Sequence, residues 1–107
     1  MLKWDGQMEE IMSHLPDDES EPILAVFSLA HRWGLNSTGS TDHARSFVEL
    51  EERHLLCLGN LQRFRDQGEA MFEIGDTLYR ALARPHEAAS YFKRASTTSE
   101  KLTASFR

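Results

Sequence analysis

Three residues on one predicted helix carry the strongest hint of chemistry in this sequence. Glu51 and His54 have the Glu-x-x-His spacing that places two metal ligands on one helix face in di-iron bundles. Such a site also needs a second copy of the motif and two further carboxylates, which the sequence does not supply. Cys57 follows His54 by three residues, but two ligands do not make a zinc site, and a half-buried pair is expected instead. We therefore predict no metal and no cofactor.

The remaining nucleophiles and bases show no catalytic pattern. The sequence has no Gly-x-Ser-x-Gly turn for a serine nucleophile and no glycine-rich loop that would hold a phosphate. Its serines and histidines are scattered without local spacing. We predict that the chain is not an enzyme.

Charge and composition exclude two further classes of partner. The 107 residues carry a net charge of −5, and residues 1–35 hold seven acids against Lys3 and Arg32, so no basic stripe is available for nucleic acid. No apolar run approaches the roughly 20 residues of a membrane-spanning helix. The single cysteine, Cys57, cannot form an internal disulfide, which favours a reducing, cytoplasmic location.

The elements that must position these side chains are all predicted to be helices. Apolar residues recur every three to four positions, and nothing alternates with period two. The predicted helices cover about residues 1–15, 22–35, 42–65, 68–84 and 85–105. Pro22 and Pro85 are predicted to open their helices, and the broad apolar face after Pro22 predicts a largely buried second helix. The sequence therefore predicts one all-α domain.

The sequence also contains an internal repeat. Its first half matches its second half at an offset of 45 residues, which drops to 44 after the turn. The matched positions are Val26 with Met71, Leu29-Ala30 with Ile74-Gly75, Trp33 with Leu78, Ala44 with Ala88, and Val48 with Phe92. Small residues at such places let two helices approach to about 8–10 Å. The pattern predicts two helical hairpins.

The second copy, AMFEIGDTLYRALARPHEAASYFKRA, resembles the tetratricopeptide repeat. This resemblance implies αα-hairpins stacked in a right-handed superhelix, over residues 22–66 and 68–105, with residues 1–15 as an N-terminal capping helix. It implies hairpin packing at Ala30, Ala44, Gly75, Ala88, Phe92 and Ala95. The first copy departs from the family, because Ala30 replaces the glycine and Glu51 stands where a small residue is usual. A generic helical bundle is the alternative.

The resemblance implies a groove that binds a partner helix or peptide, as in an adaptor or chaperone-like module. The positions that would face this groove are Phe27, His31, Phe72, Asp76, Tyr79 and Arg80. The alternative for Phe72 and Tyr79 is that they complete the core. The alternative function is a structural subunit of a homo- or hetero-oligomer, docked through an uncovered C-terminal apolar face that contains Leu102, Ala104 and Phe106.

Overall fold

The computed structural model describes residues 6–105, with side chains from Gln7 to Thr98, and contains five α-helices in this range. They are α1 (Gly6–Ser13), α2 (Asp17–Thr38), α3 (Thr41–Asn60), α4 (Phe64–Arg80) and α5 (Pro85–Ser105). The absence of strands between residues 6 and 105 confirms the predicted all-α class. The molecule measures 45 × 35 × 19 Å. Because one helix is about 10 Å thick, the shortest dimension corresponds to two layers of helices.

The helices pack in the order of the chain. α2 packs on α3, α3 packs on α4, and α4 packs on α5. The short connections make α2 and α3 one αα-hairpin, and α4 and α5 a second. The contact between α3 and α4 joins the two hairpins, so α3 lies at the centre of the fold.

α2 begins five residues earlier than predicted, at Asp17. Its first turn holds Asp17, Asp18 and Glu19, whose negative charges interact favourably with the partial positive charge of a helix N-terminus. Pro16 has an extended backbone and lies between α1 and α2, immediately before the first residue of α2. Pro22 therefore lies inside the helix, and its missing N–H leaves out one backbone hydrogen bond.

The connection between α2 and α3 is two residues long, shorter than the predicted loop 36–41. Gly39 ends α2 in the left-handed region, with φ 68°, and its N–H donates to the Leu35 carbonyl oxygen at 2.7 Å. Glycine adopts this backbone without the Cβ clash of other residues. Ser40 then takes the position immediately before α3.

α3 ends five residues earlier than predicted, at Asn60. The amide of Gln62 donates to the Gly59 carbonyl at 3.1 Å, and the amide of Arg63 donates to the Leu58 carbonyl at 2.9 Å. These are the two hydrogen bonds of a Schellman motif, with Gln62 in the left-handed position at φ 58°. Because this turn uses no glycine, the sequence did not mark it.

Residues 66 and 67, which separate two of the predicted helices, lie inside the first turn of α4, which begins at Phe64. α4 ends at Arg80, four residues before the predicted end, and Ala83 then adopts a left-handed backbone with φ 52°. α5 begins at Pro85, as predicted. A proline suits the first turn of a helix because its missing N–H would have no helical acceptor there.

Two clusters of buried side chains form the core, and α3 contributes to both. The first-hairpin cluster consists of Met12, Leu24, Phe27, Leu50 and Cys57. The second-hairpin cluster consists of Leu55, Leu58, Ala70, Met71, Ile74, Leu78 and Ala88. α1 thus covers part of the first hairpin through Met12.

Candidate protein-binding surface

The second hairpin has a tight crossing between α4 and α5. A Cβ atom added to Gly75 would lie 2.8 Å from Cε1 of Phe92, so only glycine lets the ring lie there undisturbed. Ala88 is buried in the same cluster, and Phe92 and Ala95 pack against it partly buried. The structure therefore brings all four predicted packing residues of this hairpin together.

The first hairpin has a different register from the predicted one. Two buried triplets with the same spacing lie 47 residues apart, Leu24, Phe27 and Ser28 in α2 and Met71, Ile74 and Gly75 in α4. By burial, Phe27 and Ser28 therefore correspond to Ile74 and Gly75. The offset between the matched positions is 47 residues, two more than the predicted 45. The hydroxyl-bearing Ser28 occupies the small-residue position that had been assigned to Ala30.

The predicted pair Ala30 and Ala44 is only half correct. Ala44 is fully buried, whereas Ala30 is half-buried. A close contact between α2 and α3 lies one turn further along α2, where a Cβ atom on Gly34 would meet the ring of His43 at 2.7 Å.

The side chains of Phe27 and His31 lie on the side of α2 that faces α3. Phe27 is only 8% exposed, inside the first-hairpin cluster. His31 is half-buried and turned towards α3, with its Nδ1 atom 3.1 Å from Nδ1 of His43. Burial, and then the charge of His43, lower the pKa of His31. The prediction that Phe27 faces a partner is wrong because its side chain is buried, whereas for the half-buried His31 it stays a prediction.

The outer side of α2 carries apolar side chains that nothing in residues 6–105 covers. Val26, Leu29 and Trp33 are 56%, 46% and 64% exposed. Together with the exposed Pro22 they form one line along the helix, here named the α2 seam. The prediction of a largely buried second helix is therefore wrong for Val26 and Trp33. The signal that this prediction missed is the lack of Asp, Glu, Lys and Arg from residue 22 to 31, which leaves apolar side chains on both the covered and the exposed face of this stretch of α2.

The outer side of α4 carries the four groove residues that were predicted for the second hairpin. Phe72 and Tyr79 are 59% and 61% exposed, so they do not complete the core. The Phe72 ring nevertheless contacts that of Phe92, with 5.4 Å between centroids. Arg80 Nε lies 2.8 Å from Oδ1 of Asp76, one turn back on the same helix.

A salt bridge and a cleft connect these two helices. Arg32 Nη1 of α2 lies 2.5 Å from Oε1 of Glu73 of α4. A cleft of about 230 Å³ lies between the helices, with Arg32, Asp76 and Arg80 in its walls. The name α2–α4 surface is used below for Val26, Leu29, Arg32 and Trp33 of α2 with Phe72, Asp76, Tyr79 and Arg80 of α4.

A chain of buried polar contacts holds α2 to α3 beneath this surface. Ser28 Oγ donates to Glu51 Oε1 at 2.7 Å, and both residues are buried. The Nδ1 atom of His54 lies 2.9 Å from the same oxygen, and its Nε2 atom lies 3.0 Å from Oε1 of Glu21. Burial by itself would lower the pKa of His54, but the hydrogen bonds to Glu51 and Glu21 outweigh it and raise this pKa.

Ser28 and His54 do not contact each other in this set of polar contacts, because both bind the Glu51 carboxylate. The Ser28 hydroxyl is bound to Glu51, while both ring nitrogens of His54 face carboxylates. The Cys57 thiol donates to the backbone oxygen of Asp17 at 3.1 Å, and burial together with the Asp17 carboxylate raises its pKa to about 11. Within the described part of the chain, no three His, Cys, Asp or Glu side chains are grouped to hold a metal ion.

Comparison with known proteins identifies no relative. Neither the protein-family models, nor the curated proteins, nor the solved structures gave a match to this chain. Of the helices between residues 6 and 105, none combines the length and the hydropathy needed to cross a bilayer. Function must therefore be inferred from the α2–α4 surface.

Proposed function

We propose that this chain is a protein–protein interaction module, adaptor or chaperone-like, that binds a partner helix or peptide along the α2–α4 surface. The observation that carries the proposal is the second apolar face of α2. One face packs in the first-hairpin cluster through Leu24 and Phe27, and the opposite face presents Leu29 and Trp33 to solvent. A stretch of helix with apolar side chains on opposite faces is normally covered on both of them.

The composition of the surface supports a protein as the partner. Trp, Tyr and Arg are the residue types that most often dominate protein-binding energies, and the α2–α4 surface offers Trp33, Tyr79, Arg32 and Arg80. The apolar residues lie beside the ion pair of Asp76 and Arg80, in the manner of an apolar centre with a polar rim.

A tetratricopeptide-like stack belongs to the same proposal. It is supported by the order of the two hairpins and by the crossing of Gly75 with Phe92. In such a stack α2 and α4 are the first helices of their hairpins and line one concave side, and α1 acts as the cap. The salt bridge of Arg32 with Glu73 supports this side-by-side placement. We propose a cytoplasmic location, because Cys57 is the only cysteine.

The test compares two exposed leucines. Leu29→Glu places a charge in the α2–α4 surface, and Leu56→Glu makes the same change on α3, where the leucine is 72% exposed. Tagged wild-type chain and both variants are used to capture partners from cell extract, with quantitative mass spectrometry. We expect proteins that are captured by the wild type and by Leu56→Glu but lost with Leu29→Glu. Equal capture by all three proteins would contradict the proposal.

A second candidate function is a structural subunit that docks through the outer side of α4 and α5. The observation that favours it is the contact of the exposed Phe72 with the half-buried Phe92, beside a cleft of about 420 Å³ that is lined by Phe72, Ala95 and Thr98. The apolar residues predicted for this face, Leu102, Ala104 and Phe106, lie outside the described side chains. Light scattering tests this candidate. The wild-type chain should form an oligomer that persists on dilution, and Phe72→Lys should abolish that oligomer.

A further inference from the structure

We propose that the α2 seam docks a second copy of this chain, with the two α2 helices antiparallel. The inference rests on the proposed function, because it takes the α2–α4 surface as a docking site, and it names the occupant of its α2 half. Three features of the seam carry it: its spacing, its self-complementarity and the charges at its two ends.

The spacing of the seam is that of a helix–helix contact. Pro22, Val26, Leu29 and Trp33 follow one another at intervals of four, three and four residues. This is the alternation of the a and d positions of a heptad, which keeps a line of side chains facing one partner helix. The covered side of α2, with Leu24 and Ser28, faces the opposite way. A partner helix can therefore lie along the seam without disturbing the hairpin.

The seam is complementary to itself when the second helix runs in the opposite direction. With a two-fold axis between residues 27 and 28, Val26 of one copy lies opposite Leu29 of the other, and Trp33 lies opposite Pro22. Each large side chain thus meets a smaller one, as a closed two-fold interface requires. One step further out, Glu19 lies opposite Asn36, so polar residues close both ends of the apolar centre.

Charge selects the antiparallel orientation. Glu19 lies one turn before the start of the seam, and Arg32, whose side chain is 41% exposed beside its Glu73 partner, lies beside the Trp33 end. Antiparallel helices bring Arg32 of one copy within one turn of Glu19 of the other, which is attractive. Parallel helices would set each of these charges beside its own copy, which is repulsive.

The size of the seam predicts a reversible dimer. Its exposed side chains offer roughly 300 Å² per copy, against about 800 Å² per partner in a standard stable interface. We therefore expect a weak dimer, so that monomer and dimer coexist and a different partner can compete for the same seam.

Sedimentation equilibrium of the full chain, from low micromolar to near-millimolar concentration, is the primary test. The wild type is expected to show a monomer–dimer equilibrium, and Leu29→Glu to raise the dissociation constant at least about tenfold. Leu56→Glu should match the wild type. A wild-type chain that sediments as a monomer throughout overturns the proposal, as does a Leu29→Glu variant that dimerises normally. Circular dichroism checks folding, and Trp33→Ser replaces Leu29→Glu if that variant unfolds.

A charge swap tests the orientation, in a Glu73→Gln background that frees Arg32 from its intramolecular partner. Glu19→Arg is expected to weaken the dimer, and adding Arg32→Glu is expected to restore it. No recovery in the double swap would overturn the antiparallel arrangement. If the chain stays monomeric but Leu29→Glu still loses captured partners, the dimer is refuted and the proposed function stands. If the chain stays monomeric and Leu29→Glu captures the same partners as the wild type, both the dimer and the proposed function are refuted.

Discussion

The ring of Phe92 occupies the space that a side chain at Gly75 would need. Its Cε1, Cδ1 and Cζ atoms would lie 2.8, 3.0 and 3.1 Å from an added Cβ. By contrast, a Cβ on Gly68 would meet the Thr98 methyl carbon at 3.7 Å, which is ordinary van der Waals contact. The two glycines lie on the same helix and therefore separate helix propensity from crowding.

Gly75→Ala is predicted to lower the free energy of unfolding, and Gly68→Ala to raise it. Replacing glycine by alanine inside a helix gains about 1 kcal/mol, whereas overpacking costs about 1–3 kcal/mol. We expect a net loss of about 1 kcal/mol for Gly75→Ala and a gain of up to about 1 kcal/mol for Gly68→Ala. Urea unfolding measures both. Equal stabilisation of the two variants would show that Phe92 moves away without cost.

Ala83→Gly is predicted to stabilise the chain. Ala83 has φ 52°, a left-handed backbone that costs a residue with a Cβ roughly 1 kcal/mol and glycine almost nothing. We expect a gain of about 0.5–1 kcal/mol in thermal and urea unfolding. The same substitution at the exposed Ala89, inside α5, should cost about 1 kcal/mol. Two changes of the same sign would contradict this explanation.

His54 is predicted to stabilise the fold most at acidic pH. Its pKa is raised above its ordinary 6.5, because hydrogen bonds to Glu51 and Glu21 outweigh burial. The stabilisation is therefore complete below the unfolded-state pKa and disappears as the pH rises through the folded-state pKa. His54→Gln should lose more stability relative to the wild type at about pH 5.5 than at about pH 9. His86→Gln, on an exposed site, is the control, and a deficit independent of pH would refute the predicted ion pairing.

Cys57 is predicted to resist thiol reagents in the folded chain. The thiol is 4% exposed, and burial with the Asp17 carboxylate raises its pKa to about 11, so it is protonated at pH values near neutrality. Its labelling rate should rise with urea in step with unfolding. A Ser90→Cys thiol, exposed on α5, should react at once, in a background where Cys57 is replaced by Ala. Immediate labelling of Cys57 would show that the first-hairpin cluster opens without unfolding.

The sequence predicted the second hairpin better than the first for a physical reason. In α4, charged residues alternate with apolar ones, so Met71, Ile74 and Leu78 mark the buried side unambiguously. In α2 the run from residue 22 to 31 has no charged residue to mark which side faces solvent. The sequence comparison therefore matched Leu29 with Ile74 of α4, whereas the buried positions match Phe27 with Ile74. The error at Phe27 follows from that ambiguity.

The helix ends were mispredicted where the chain departs from the usual turn chemistry. Gln62 and Ala83 take the left-handed position that glycine normally fills, so composition did not mark either turn. Pro22 suggested a helix start, but the acids of the preceding turn had already begun α2. The prediction that Pro85 begins a helix is correct, because no helical turn immediately precedes this proline.

The packing of each helix on its neighbour in the chain has a consequence for how the protein assembles. The extensive contacts all join consecutive helices, across connections of two to four residues. Short connections are closed at little entropic cost, and chains with mostly local contacts acquire their structure within microseconds to milliseconds. The first hairpin can therefore form before α4 packs on α3, so the α2 seam is available to a partner before the fold is complete.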